Sequence, residues 1–118
     1  MHFALDVSAA PGADAVTIVA VTGELDMASA PRLRQELVSL ASAGRTTIVI
    51  DLAGVDFLDS TGLGVVLGAL KRVRAAGGDL ALARTEPQVA KVFEITRLSD
   101  IMPLHDTIEA AIAAVVSD

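Results

Sequence analysis

Residues 47–52, Thr-Ile-Val-Ile-Asp-Leu, form an almost unbroken β-branched and aliphatic run, the pattern of a strand covered on both faces. A strand of that kind is satisfied only inside a layered fold. The stretch Ala15 to Thr22 repeats the pattern, and Pro11-Gly12 separates it from Phe3 to Val7, where apolar and polar positions alternate. These segments predict a hairpin whose second strand is buried.

Helical periodicity fills the intervals between strands. Ala28 to Ala43 puts Leu33, Leu37 and Leu40 on one stripe, with Pro31 near its first turn and Gly44 closing it. Leu63 to Ala76 sets Leu63, Val66, Leu67, Leu70 and Val73 at helical spacing before a Gly77-Gly78 stop. Leu80 to Ala83 reads as a short strand, Pro87 opens a helix holding Val89, Val92 and Phe93, and Ile108, Ala111, Ile112, Val115 and Val116 mark a last amphipathic helix. Asp100 to Leu104 is expected as a short edge strand, because Pro103 has no donor for a central ladder, and Ala53 to Leu58 is expected to be irregular. The alternation predicts an α/β fold: a mixed, mainly parallel sheet of four to five strands with about four covering helices, its later strands joined by right-handed crossovers.

Composition narrows what such a layer can do. At 118 residues, division would leave two pieces each marginal for a core of its own, so residues 1–118 are expected to form one domain. Trp and Tyr are absent and Phe3, Phe57 and Phe93 are the aromatics, so the core must be aliphatic. A net charge of −6 argues against binding a phosphate backbone, and the one basic cluster, Lys71, Arg72 and Arg74, falls late in a predicted helix, where it complements the dipole. With no cysteine, disulfides, thiolate metal sites and cysteine nucleophiles are excluded. Neither a leader-like N-terminus nor a run of about 18 apolar residues is present, so a cytoplasmic protein with no membrane partner is expected.

The segment Asp56-Phe57-Leu58-Asp59-Ser60-Thr61-Gly62-Leu63-Gly64 lies between a buried strand and a helix. Asp, Ser and Thr before an apolar periodic run are ordinary helix caps. With Asp59 as the cap, Leu58 and Leu63 have the spacing of a hydrophobic staple, and Ser60 and Thr61 become first-turn residues whose hydroxyls the helix does not need. The free N–H groups and positive dipole end there would favour an added anion. Gly62, Gly64 and Gly68 each cost about 1 kcal/mol against Ala within a helix. Either close packing on the sheet or a smooth outer groove, along Thr61, Gly64 and Gly68, would account for them.

DFLDSTGLG behind a β-branched strand resembles the phosphorylation-site signature of the STAS-domain anti-sigma factor antagonists. Gly23-Glu24-Leu25-Asp26, before a helix containing Ala28 and Leu33, is similar to the GELD segment of the same family, and the order of elements agrees from Phe3 to Val116. The resemblance implies that Ser60, and not Thr61, is the phosphate acceptor. It also implies partner switching: the unphosphorylated protein binds an anti-sigma factor that is an ATP-dependent serine kinase, sigma factor is released, and a serine phosphatase restores the cycle. Asp26, Asp59, Ser60, Thr61, Gly62, Leu63 and Gly64 are the expected partner-binding residues, gathered at one end of the sheet because each group follows a strand of a parallel layer. The same reading expects no enzyme activity, no cofactor or metal, no nucleic acid, and a monomer or weak dimer.

Other readings compete with it. Leu58 stands where a G-x-S-x-G elbow needs its first glycine, and His2 and His105 are isolated, which argues against a serine hydrolase. Leu67 replaces the third glycine of a G-x-G-x-x-G loop, and no phosphate-cradling motif is present. A receiver-like domain would phosphorylate Asp51 near Asp56 and Asp59, but its divalent ion requires clustered carboxylates that the first hairpin does not supply. Asp51 is expected instead to end its strand and solvate the following loop. A STAS accessory subunit of a transporter or signalling assembly keeps the fold and changes the task.

Overall fold

The computed structural model describes residues 3–116, and His2 lies outside them. Five strands, β1 (Ala4–Ala10), β2 (Ala13–Leu25), β3 (Thr47–Leu58), β4 (Asp79–Ala83) and β5 (Leu104–His105), line up in sequence order in a single sheet. β1 and β2 form the antiparallel hairpin, turning at Gly12 with φ +73°, and each later neighbour pairs in parallel. Helices α1 (Ala30–Ser42), α2 (Ser60–Ala75), α3 (Pro87–Ile95) and α4 (Ile108–Val116) supply the crossovers and cover. The mixed, mainly parallel sheet and its covering helices follow the sequence expectation.

Alternation along the central strands divides the core. Val19, Val21, Ile48, Ile50, Leu52 and Leu82 project to one face, where they meet Leu33 and Leu37 of α1, Val66, Leu70 and Val73 of α2, and Val89 and Phe93 of α3. On the opposite face Val16, Val49, Ala81 and Ala83 pack against Ala111 of α4. The small alanines there let a short helix lie close to the sheet.

Three expectations give way. Residues 53–58 are strand, because β2 runs on to Leu25 and offers them a ladder: Thr22 pairs with Gly54, Gly23 with Val55, Glu24 with Phe57 and Leu25 with Leu58. Gly54 and Asp56 are poor strand formers, and tertiary pairing overrides that preference at the cost of register shifts beside Gly23, whose φ is +109°. The edge strand is also displaced. Leu98–Asp100 forms a 3-10 turn, and pairing begins only after Pro103, at Leu104–His105.

Asp51 does not end a strand. It sits within β3 opposite Ala20 and Ala83, 7% exposed, and accepts two hydrogen bonds from Arg84, Nη2 to Oδ2 at 2.6 Å and Nε to Oδ1 at 3.2 Å. Arg84 leaves β4 in the left-handed region, φ +60°, while its N–H donates to the His105 carbonyl at 2.8 Å. The hydrogen bonds it donates to Asp51, and the charge of that carboxylate, push the Arg84 guanidinium pKa above its ordinary value. A fork of this geometry ties β3, β4 and β5 together beneath α4.

α2 seats on the sheet through Gly62. A β-carbon there would stand 2.7 Å from the Leu25 carbonyl oxygen and 2.8 Å from its Cγ, whereas at Gly64 and Gly68 it would meet nothing within 4 Å. Close packing therefore explains Gly62, and the open outer surface belongs to Gly64 and Gly68. Gly62→Ala should lower the unfolding free energy in urea by about 1–3 kcal/mol through overpacking. Gly64→Ala and Gly68→Ala should raise it by up to about 1 kcal/mol. Equal losses at all three positions would contradict this seating.

Candidate functional site: the joined β2–α1 and β3–α2 turns

The extensions of β2 and β3 end side by side, and the chain leaves each through an aspartate. Asp59 caps α2 from an extended backbone, its Oδ1 accepting from the N–H groups of Thr61 at 2.9 Å and Gly62 at 3.0 Å. Its own N–H donates to the Leu25 carbonyl at 3.2 Å, and its carbonyl accepts from Leu63 N–H at 2.9 Å. Leu58 is buried and Leu63 packs against the same core, as a staple requires. One residue thus ends β3, starts α2 and holds the turn to β2.

Asp26 plays a comparable part in the other turn. Its Oδ1 accepts from Ala28 N–H at 3.0 Å and Ser29 N–H at 3.1 Å, and its carbonyl accepts from Ala30 N–H at 2.8 Å. Ser29, 5% exposed, completes the loop: its hydroxyl donates to the Glu24 carbonyl at 2.6 Å and accepts from Asp26 N–H at 3.0 Å. Asp26 therefore shapes its loop through these hydrogen bonds, which a purely surface contact would not require. Ser29 escaped the sequence reading, although the Asp-x-x-Ser spacing is a turn and cap signal that carries it.

Ser60 is the first residue of α2 and is exposed, as are Thr61 and Gly64, while Gly62 is buried and Leu63 half-buried. All the expected partner-binding residues meet where β2 and β3 end. The Ser60 hydroxyl has no part in the cap, which Asp59 supplies. The carboxylate already occupies the N–H groups of Thr61 and Gly62, so the helix end is less open to a further anion than its sequence suggests. Two apolar side chains beside the aspartates, Met27 at 74% and Phe57 at 48% exposure, were not singled out by periodicity, since neither belongs to a helical stripe. Gln88 of α3 donates from Nε2 to the Asp56 carbonyl at 3.3 Å, bracing the approach to the turn.

The geometry does not assemble the alternatives. Asp51 is turned into its pair with Arg84, and among the described residues no three acidic or histidine side chains gather as a cation site would require. His105 lies on β5, with β4 between it and β3. No described helix is long and apolar enough to cross a membrane.

Residues 8–111 match the STAS domain family. The chain is 40% identical over 94 residues to an anti-sigma-B factor antagonist of Bacillus subtilis (strain 168), covering 80% of this chain and 85% of the relative. Among solved structures it superposes on an anti-sigma factor antagonist from Mycobacterium paratuberculosis with a TM-score of 0.84 at 27% identity, over 98% of this chain and 96% of that one. The phosphorylated form of the Bacillus cell fate determinant SpoIIAA aligns with a TM-score of 0.73 at 28% identity, over 94% of this chain and 98% of the other. The paired GELD and DSTGLG turns, on a fold and sequence shared at this level, place the chain in the STAS-domain anti-sigma factor antagonist family.

Proposed function

We propose that this protein antagonises an anti-sigma factor that is also a serine kinase, binding it while Ser60 is unmodified, releasing sigma factor, and letting go once Ser60 is phosphorylated. The observation that carries the reading is the position of Ser60: exposed at the first residue of α2, spare in the cap, and in a turn hydrogen-bonded to the Asp26 loop through Leu25. In the transfer, the Ser60 hydroxyl oxygen attacks the γ-phosphorus of ATP, the bond to the ADP oxygen breaks, and the hydroxyl proton passes to a base of the kinase. The protein is the acceptor and needs no catalytic group or cofactor of its own. A serine phosphatase reverses the modification, in the cytoplasm, where the kinase finds its ATP.

The cap geometry supports a direct form of switching. Phosphorylation adds about −1.5 to −2 charges. Because Asp59 holds the Thr61 and Gly62 N–H groups, the phosphate stays on the outer surface beside an existing carboxylate. Closing a partner over that surface must desolvate the dianion against like charge, a penalty on the order of several kcal/mol and roughly a thousandfold in affinity.

Incubation with a candidate anti-sigma serine kinase and ATP should place one phosphate on Ser60 by mass spectrometry, and Ser60→Ala should abolish labelling while retaining the fold and the binding measured by calorimetry. Labelling that persists on Thr61 would show the acceptor to be the other hydroxyl. Undiminished binding of the phosphorylated protein would refute the switch.

A further inference from the structure

We propose that β1 is a self-association edge, on which two copies of this chain pair their β1 strands antiparallel about a two-fold axis through Val7. The two sheet margins are built differently. β5 has two residues, follows Pro103, which lacks an N–H, and precedes Asp106, all features that discourage pairing. β1 is seven residues long, holds no proline, lysine or arginine, and among the described residues pairs with a strand on one side only, β2; its outer edge is open over residues 4–9, Ala10 being 1% exposed. Its register irregularity comes only at the end, between Ala9 and Ala10. An open edge of this length is a template for another strand.

The occupant that fits is a second copy. A two-fold axis normal to the sheet keeps the helices of both copies on the same side, so a residue can oppose only one of its own face. With Val7 on the axis, Leu5 meets Ala9 of the second copy and Asp6 meets Ser8, which uses the open edge from Leu5 to Ala9. Sliding by one step of the pleat in one direction sets Asp6 against Asp6; sliding in the other direction sets Asp6 against the buried Ala10 and leaves only residues 7–9 paired. The register through Val7 is the one that pairs residues 5–9 without setting like charges opposite each other. It also covers Val7, 39% exposed, which lies beside the fully buried Val19 and so continues the apolar surface of that face outward.

The flank above the strand accepts the approach. A groove of about 360 Å³ between β1 and α1 is lined by Leu5, Arg32, Gln35, Glu36 and Ser39, which carry both signs of charge in a chain whose net charge is −6. Arg32 is held there by its Nη1 donating to the Phe3 carbonyl at 3.2 Å. Because the axis reverses strand direction, the two Ser60 turns point to opposite ends of the joined sheet and each stays accessible. The pairing does not depend on the partner assigned to that turn.

The chain has no cysteine, so one introduced thiol reports the register unambiguously. Sedimentation velocity of the wild-type protein from micromolar to millimolar concentration should show conversion to dimer, and Val7→Lys should raise the dissociation constant by about tenfold or more with an unchanged circular dichroism spectrum. Val7→Cys should form a disulfide-linked dimer under mild oxidation, since the paired α-carbons would stand about 4.5–5.5 Å apart. Leu5→Cys alone should not, its copies lying roughly 13 Å apart along the strand, but Leu5→Cys mixed with Ala9→Cys should. A wild-type monomer at every concentration, or equal oxidation of the Leu5→Cys and Val7→Cys proteins, would overturn the proposal.

Discussion

The hydrogen bond from Asp59 N–H to the Leu25 carbonyl, backed by the Asp59 cap, is the joint on which the functional end of this molecule depends. It sets the point where β3 stops being strand and α2 begins. It also fixes the distance between the two turns, because the same Leu25 carbonyl is what a side chain at position 62 would strike. Sequence, cap and close packing meet in one place: Asp59 must accept hydrogen bonds, Gly62 must lack a side chain, and Ser60 between them remains unconstrained by either need. A residue free of structural duty and exposed to solvent can gain a phosphate without cost to the fold.

Behind that joint, the sheet is held by interactions that never reach the turn. The Asp51–Arg84 fork lies on the α4 face, on the side opposite the helices that carry α2's contacts, and its attraction offsets the desolvation of a carboxylate that is almost wholly buried. The division of the core into two faces separates the elements that present Ser60 from those that stabilise the far side.

Much of this was legible in the residues. The aliphatic runs at 47–52 and 15–22 gave the buried strands, and the Leu58, Asp59 and Leu63 spacing gave the cap and staple. What the chain hid was non-local. Gly54 and Asp56 read as a break in the strand because their partner ladder, beyond Thr22, is supplied by a bulged extension of β2. Asp51 read as a strand end because Arg84 is 33 residues away and reaches it only from a left-handed backbone. The bonds of Asp26 to Ala28 and Ser29, by contrast, are local, and the Asp-x-x-Ser spacing carries them.

The central claim is that phosphate at Ser60 acts at the surface of an unchanged domain. The direct measurement is an amide NMR map of the protein before and after stoichiometric phosphorylation of Ser60. Confinement of the shifts to residues 24–29 and 56–68, with β4, β5 and α4 unmoved, is the predicted result. Shifts spread through the Asp51–Arg84 fork and α4 would show that the modification reorganises the fold and would contradict the account.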